Sequence, residues 1–214
     1  MNATPSLAAR LTALLLPLAV AGCGALNIAS QPAVSWFTLD DKHAETEALT
    51  EKPTIDHTLI IGQVDANPFY DSTQLAYARS DRARAYYQYA AWTERPPKRL
   101  ATLIERRLAA RNHFRAVANN TAGIRGELLL NLALDEIYHD TSVEPQLARL
   151  VVHATLIDAR SRALIARKTF TENAPVADPA AASAVTALNE AATALIDDMT
   201  GWVETQSKQA SKSK

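Results

Sequence analysis

Leu128-Leu129-Leu130-Asn131-Leu132-Ala133-Leu134-Asp135 is the stretch that decides the fold. Leu128, Leu130, Leu132 and Leu134 fall on one side of an extended chain. Leu129, Asn131, Ala133 and Asp135 fall on the other, which is the period of a half-buried strand. Leu150, Val152, Ala154 and Leu156 repeat the alternation against Arg149, His153 and Thr155. The turn residues Asp158-Ala159-Arg160-Ser161 then lead back into Leu164 to Thr171, so an antiparallel hairpin is predicted there.

Toward the C-terminus, Asp178-Pro179 supplies an N-cap and a first-turn proline for a long Ala-rich helix. Its large apolar residues are Val185, Leu188, Leu195, Ile196, Met199, Trp202 and Val203. The basic tail from 205 to 214 is Ser, Lys and Gln with almost nothing to bury, and is expected to be disordered. Toward the N-terminus, Asn119-Asn120 and Gly123 mark a turn after a short strand from Phe114 to Val117. Pro96-Pro97 opens a helix with Thr93 available as its cap, and Leu100, Leu103, Ile104 and Leu108 give it one apolar face. Gln74 to Ala78 and Arg84 to Tyr89 read as a hairpin joined through Ser80-Asp81. Leu59 to Val64 is a buried strand, Asp40 to Pro53 a charged loop, and Trp36-Phe37-Thr38-Leu39 a first strand. Strands, helix, strands, helix, joined by hairpins rather than long crossovers, predict a single α+β domain: a mostly antiparallel sheet covered on one face by two helices.

Ahead of that domain, Arg10 precedes the apolar stretch Leu11 to Val20, which is too short to span a membrane. It ends in Val20-Ala21-Gly22-Cys23, a branched apolar residue and two small ones before the chain's single cysteine. This has the form of a lipobox, so residues 1–22 are read as a lipoprotein signal peptide and Cys23 as the lipidation site. Residues 23–35 are the tether, 36–204 the domain. With no second cysteine an intrachain disulfide is excluded. Two or three acyl chains anchor a protein stably because each buried methylene contributes about 0.8 kcal/mol. Gly24, rather than an aspartate, after the cysteine favours the inner leaflet of the outer membrane, facing the periplasm. Of 22 Lys and Arg against 23 Asp and Glu, cleavage would remove only Arg10. The exported domain is therefore near neutrality, which argues against nucleic acid as a partner.

Signs of chemistry are sparse. His43, His57, His113, His139 and His153 lie far apart, with no metal-ligand spacing on one element. Glu136 and His139 would pair only on a helix, and a strand sends them to opposite faces. Asp140, His153 and Ser161 could be drawn as a triad, as could residues of any chain this size. No nucleophile elbow, Walker loop or dinucleotide glycine pattern occurs. No catalytic residue, metal or cofactor is assigned. The densest aromatic run, Tyr86, Tyr87, Tyr89 and Trp92, is the candidate partner or lipid contact, because Tyr and Trp suit half-wet interfaces. Core packing is the stronger reading for Trp92 and an equal one for the tyrosines.

Three stretches carry a family resemblance: the cysteine and tether followed by Trp36-Phe37-Thr38-Leu39; Tyr89-Ala90-Ala91-Trp92-Thr93-Glu94-Arg95-Pro96-Pro97 running into Leu100, Leu103 and Leu108, then Phe114-Arg115-Ala116-Val117; and Phe170 and Pro175 ahead of Ala187-Leu188-Asn189-Glu190-Ala191 and Trp202. In order and spacing they resemble the ABC-type transport auxiliary lipoproteins that accompany MCE-domain lipid transport systems. The resemblance implies a small, non-catalytic periplasmic lipoprotein. Its implied partners are an MCE-domain protein, a permease and an ATPase, and a homo-oligomer is allowed. It brings no catalytic residues. Competing classes are an envelope-assembly or cell-wall adaptor and a lipoprotein hydrolase with an unrecognised site.

Overall fold

The computed structural model describes residues 32–44 and 52–212. The leader, Cys23 and most of the tether lie outside these residues. The elements are β1 (Ser35–Phe37), β2 (Ile55–Ala66), β3 (Gln74–Ser80), β4 (Ala83–Trp92), α1 (Pro96–Ala110), β5 (Phe114–Asn119), β6 (Leu128–Asp140), β7 (Leu147–Asp158), β8 (Leu164–Pro175) and α2 (Ala181–Lys212). They form one α+β domain within the compact unit Val34–Lys214, an eight-stranded sheet with two helices on one face.

Strand β6 is the hub, because its length lets several neighbours share it. One edge pairs antiparallel with β7 from Leu128 to Asp140. The other edge is divided: Leu128 to Leu134 pair with β2, and His139 and Asp140 with β3, both parallel. The alternation behaves as expected, with Leu128, Leu130, Leu132 and Leu134 all buried beneath the helices. Between Leu134 and Glu136 the register shifts by a residue. A bulge of one residue exchanges the two faces of a strand. Ile137 and His139 therefore follow the leucines inward, while Glu136 and Tyr138 join the far side.

The sheet is mixed. The antiparallel registers β7–β8 and β3–β4 are the expected hairpins, and β6–β7 is a further long antiparallel pair. The pairings β1–β4, β2–β5, β2–β6 and β3–β6 are parallel. All four need crossovers, which leave no short turn signal in the sequence.

On the covered face, Leu100, Leu103, Ile104 and Leu108 of α1 are fully buried. So are Leu188, Leu195, Ile196, Met199 and Val203 of α2, with Ala184, Ala187, Ala191 and Ala192 between them. The alanines let the helix backbone approach the sheet, and each large side chain buried contributes about 1.5–3 kcal/mol. Trp202, only half-buried, meets the Phe170 ring edge-on at 5.7 Å.

Three expectations are corrected. Residues 205–212 are not a disordered tail: α2 continues to Lys212. Ser207 is fully buried in it, and the Ser211 hydroxyl lies 3.1 Å from His57 Nδ1. Composition alone does not register such contacts. Nor does Thr93 cap α1, whose N-cap is Arg95 with no side-chain hydrogen bond. Pro96 and Pro97 have no amide proton for a cap to accept. Thr93 instead extends the β1–β4 pairing, its amide donating to the Phe37 carbonyl at 2.7 Å. Nor does Asp178 sit at the N-cap of α2 or Pro179 in its first turn: the helix begins at Ala181, with the Ala184 amide donating to the Ala180 carbonyl at 3.0 Å. Asp178 fixes the approach by accepting from the Ala180 amide at 2.8 Å and the Ser183 hydroxyl at 2.6 Å.

Candidate functional site

The four aromatic candidates share strand β4 but not a surface. Trp92 is buried and belongs to the core. Tyr86 stacks on Phe69 at 4.3 Å, and its hydroxyl donates to the Phe69 carbonyl at 2.8 Å. Tyr87 turns to the opposite face, 2.6 Å from His139 Nδ1. Only Tyr89 among them is exposed, at 39%. Alternation on a strand sends neighbours to opposite sides, so a run of aromatics in sequence cannot form a single patch.

What accompanies Tyr89 is Trp36, which is 61% exposed, and Val34, at 42%. Strand β1 pairs parallel with β4, placing Ser35 beside Ala90, Trp36 beside Ala91 and Phe37 beside Trp92. Phe37, Ala90 and Trp92 face the core. Val34, Trp36, Ala91 and Tyr89 therefore share the outward face of this edge. The aromatic run Trp36-Phe37 reads as a strand from sequence, but the exposure of Trp36 does not. The signal is the alternation of Val34 and Trp36 against Phe37 and Leu39, which acquires meaning once β4 is known to be the neighbour.

Behind that edge, residues 38–44 form a strap clasped by both helices. Arg107 on α1 is buried and forms ion pairs with Asp41 of the strap and Asp197 of α2. The Asp40 amide donates to Asn189 Oδ1 and the Lys42 amide to Thr193 Oγ1, both at 3.0 Å. Arg99 Nε donates to the Leu39 carbonyl at 2.8 Å. A guanidinium suits this junction because its planar fork serves two carboxylates at once.

The titratable groups have structural partners. Burial pushes the Tyr87 phenol up to about 12 and the His139 imidazole down from its usual value. The phenol is thus the donor and the Nδ1 of the neutral ring the acceptor of an interior hydrogen bond. Glu136 pairs with Arg149 on the far face of the sheet, away from His139. Asp140 accepts from Ser142, His153 Nδ1 contacts Thr169, and Ser161 lies in the β7–β8 turn, so the paper triad is not assembled. Among the described residues no group of three or more His, Cys, Asp or Glu could hold a metal. A cleft of about 410 Å³ between α1 and β2 is lined by Asp71, Arg95, Lys98, Glu105 and Asn119. Arg95 is neutralised by Asp71, and Lys98 by Glu94. Val64, Pro97 and Ala101 line it as well, so the cleft is of mixed character. The far face over β6–β8 is largely polar, presenting Asn131, Arg167, Thr169, Thr171 and Asn173.

The chain matches the sequence model of a family described as "ABC-type transport auxiliary lipoprotein component" over residues 37–200. No curated protein matches it. Its fold is similar to that of protein XCC0632 from Xanthomonas campestris, with a TM-score of 0.76 at 18% identity, covering 84% of this chain and 99% of that one. It is also similar to the hypothetical protein CT253 from Chlamydia trachomatis, with a TM-score of 0.53 at 11% identity, covering 71% and 98%. At these identities the likeness shows the fold alone.

Proposed function

We propose, from the premise that this chain belongs to the ABC-type transport auxiliary lipoprotein component family, that it is a non-catalytic docking subunit of an MCE-type lipid transport system. In this reading Cys23 is acylated and held in the inner leaflet of the outer membrane. The domain faces the periplasm and meets an MCE-domain protein, a permease and an ATPase. The observation that best supports the reading is the strap at residues 38–44, which ties the chain to both helices soon after it enters the domain. A docking protein needs its anchor joined firmly to its folded body, whereas a soluble carrier has no such need. The largely polar far face also suits a protein that binds other proteins.

The test is transfer of labelled phospholipid between membranes, or envelope integrity, in a strain that depends on this system. Cys23→Ala should abolish function, because losing the anchor removes the effective concentration that tethering supplies. Alanine at any one of Glu136, His139, Asp140, His153 or Ser161 should leave it largely intact, since docking energy is spread over several contacts. A single such substitution that removes all activity while leaving fold and expression unchanged would point to catalysis instead.

A further inference from the structure

We propose that the outward face of the β1–β4 edge, Val34, Trp36 and Tyr89, is a membrane-surface contact that seats the domain on the bilayer carrying its anchor. The inference rests on the reading that Cys23 is acylated. Six large apolar side chains are markedly exposed among the described residues. Ile124, Val143 and Leu164 lie in or beside three separate turns, whereas Val34, Trp36 and Tyr89 are brought together by the parallel pairing of β1 with β4. Two of these three are Trp and Tyr, whose amphipathic rings favour the headgroup level of a bilayer.

The position of the patch selects its occupant. Val34 is where the chain from Cys23 enters the folded unit. Eleven residues fully extended span at most about 40 Å, so the patch is covalently confined close to the acyl chains. Its size points the same way. An aromatic side chain buries roughly 150–250 Å² in full, so three partly exposed side chains offer on the order of 300 Å². A stable protein interface takes about 800 Å² from each partner. A contact this small holds only when something else keeps it near its target, and a short tether does that at an effective concentration on the order of millimolar. Seating β1 on the bilayer has a geometrical consequence. Strands β1 and β8 terminate opposite ends of the sheet, so the β8 edge is turned away from the membrane, toward the periplasm.

The experiment uses the mature lipidated chain in vesicles of phosphatidylethanolamine and phosphatidylglycerol, with and without bromine on the acyl chains. Trp92 is buried and Trp202 half-buried, so the difference between wild type and Trp36→Phe isolates Trp36. The expected result is a blue-shifted Trp36 component, quenched by brominated lipid, protected from aqueous acrylamide and independent of protein-to-lipid ratio. An acylated chain whose Trp36 escapes bromine quenching and stays open to acrylamide would overturn the contact and leave the anchor standing. Protection that grows with protein density would also overturn it, in favour of a second copy. A chain found without acyl groups would remove the anchor, and with it the confinement on which the contact depends, so it would overturn both readings.

Discussion

Strands β6, β7 and β8 pair along most of their lengths and bury their inner face under α2, whereas β1 pairs with β4 through three residues and leaves Trp36 in solvent. The first region is regular, apolar on one side and closed. The second is short, relies on a buried ion pair and backbone hydrogen bonds to hold the following strap, and shows an aromatic face outward. The difference teaches where stability and contact reside. The sheet hub and α2 supply the core. The β1 edge has little core of its own and lies where the chain enters the folded unit.

The most severe way to break this comparison is to remove α2. A chain ending at Asp178 uncovers Leu188, Leu195, Ile196, Met199 and Val203, and each such side chain lost costs roughly 2–5 kcal/mol against a total stability of about 5–15. Cooperative thermal unfolding should vanish. An unchanged unfolding midpoint would show that the core lies elsewhere.

Breaking the strap is the next largest change. Arg107→Ala leaves Asp41 buried without its cation, which should destabilise the domain by about 3–5 kcal/mol in denaturant titration. A loss below about 1 kcal/mol, the range of an exposed pair, would mean that the strap is not fastened there.

A smaller effect sharpens the role of the hub. Glu127 sits just before β6 and accepts from the Thr58 amide at 2.8 Å and from Arg115 at 2.9 Å. The Thr58 amide, with help from Arg115, holds its carboxyl at about 2. A carboxylate depressed on folding stabilises fully above its unfolded value, roughly pH 4.3, and loses that contribution as pH falls toward about 2. Glu127→Gln should flatten the dependence of Tm on pH within that window. A wild-type slope retained by the variant would assign the acid sensitivity to other groups. The smallest effect belongs to the exposed edge, where Trp36→Ala should change stability by no more than about 0.5 kcal/mol, as read by the same denaturant titration.

How much could be read in advance follows the same division. Leu150 to Leu156, the turn at 158–161 and Leu164 to Thr171 announce a hairpin because the pattern and its turn lie close together in sequence. Leu100, Leu103, Ile104 and Leu108 announce α1 for the same reason. The bulge that reverses β6 at Asp135 is a local event without a distinctive residue type. The parallel neighbours β2–β6 and β1–β4 are joined through long connections, so no short segment encodes them. The end of α2 was misread because Ser207 is buried by its place in the fold, not by its polarity. Of the contact candidates, Tyr89 lies on the exposed edge, while Trp92 sits in the core and Tyr86 and Tyr87 point to opposite faces. Trp36 escaped notice because its exposure depends on a strand more than fifty residues away.

The most direct test of the docking role is crosslinking and co-purification of the mature, lipidated protein from envelope fractions, followed by identification of what it carries. An MCE-domain protein together with a permease and ATPase is the predicted result, recovered with wild type and lost with Cys23→Ala. A correctly folded, acylated wild-type protein that carries no transporter component after crosslinking would contradict it.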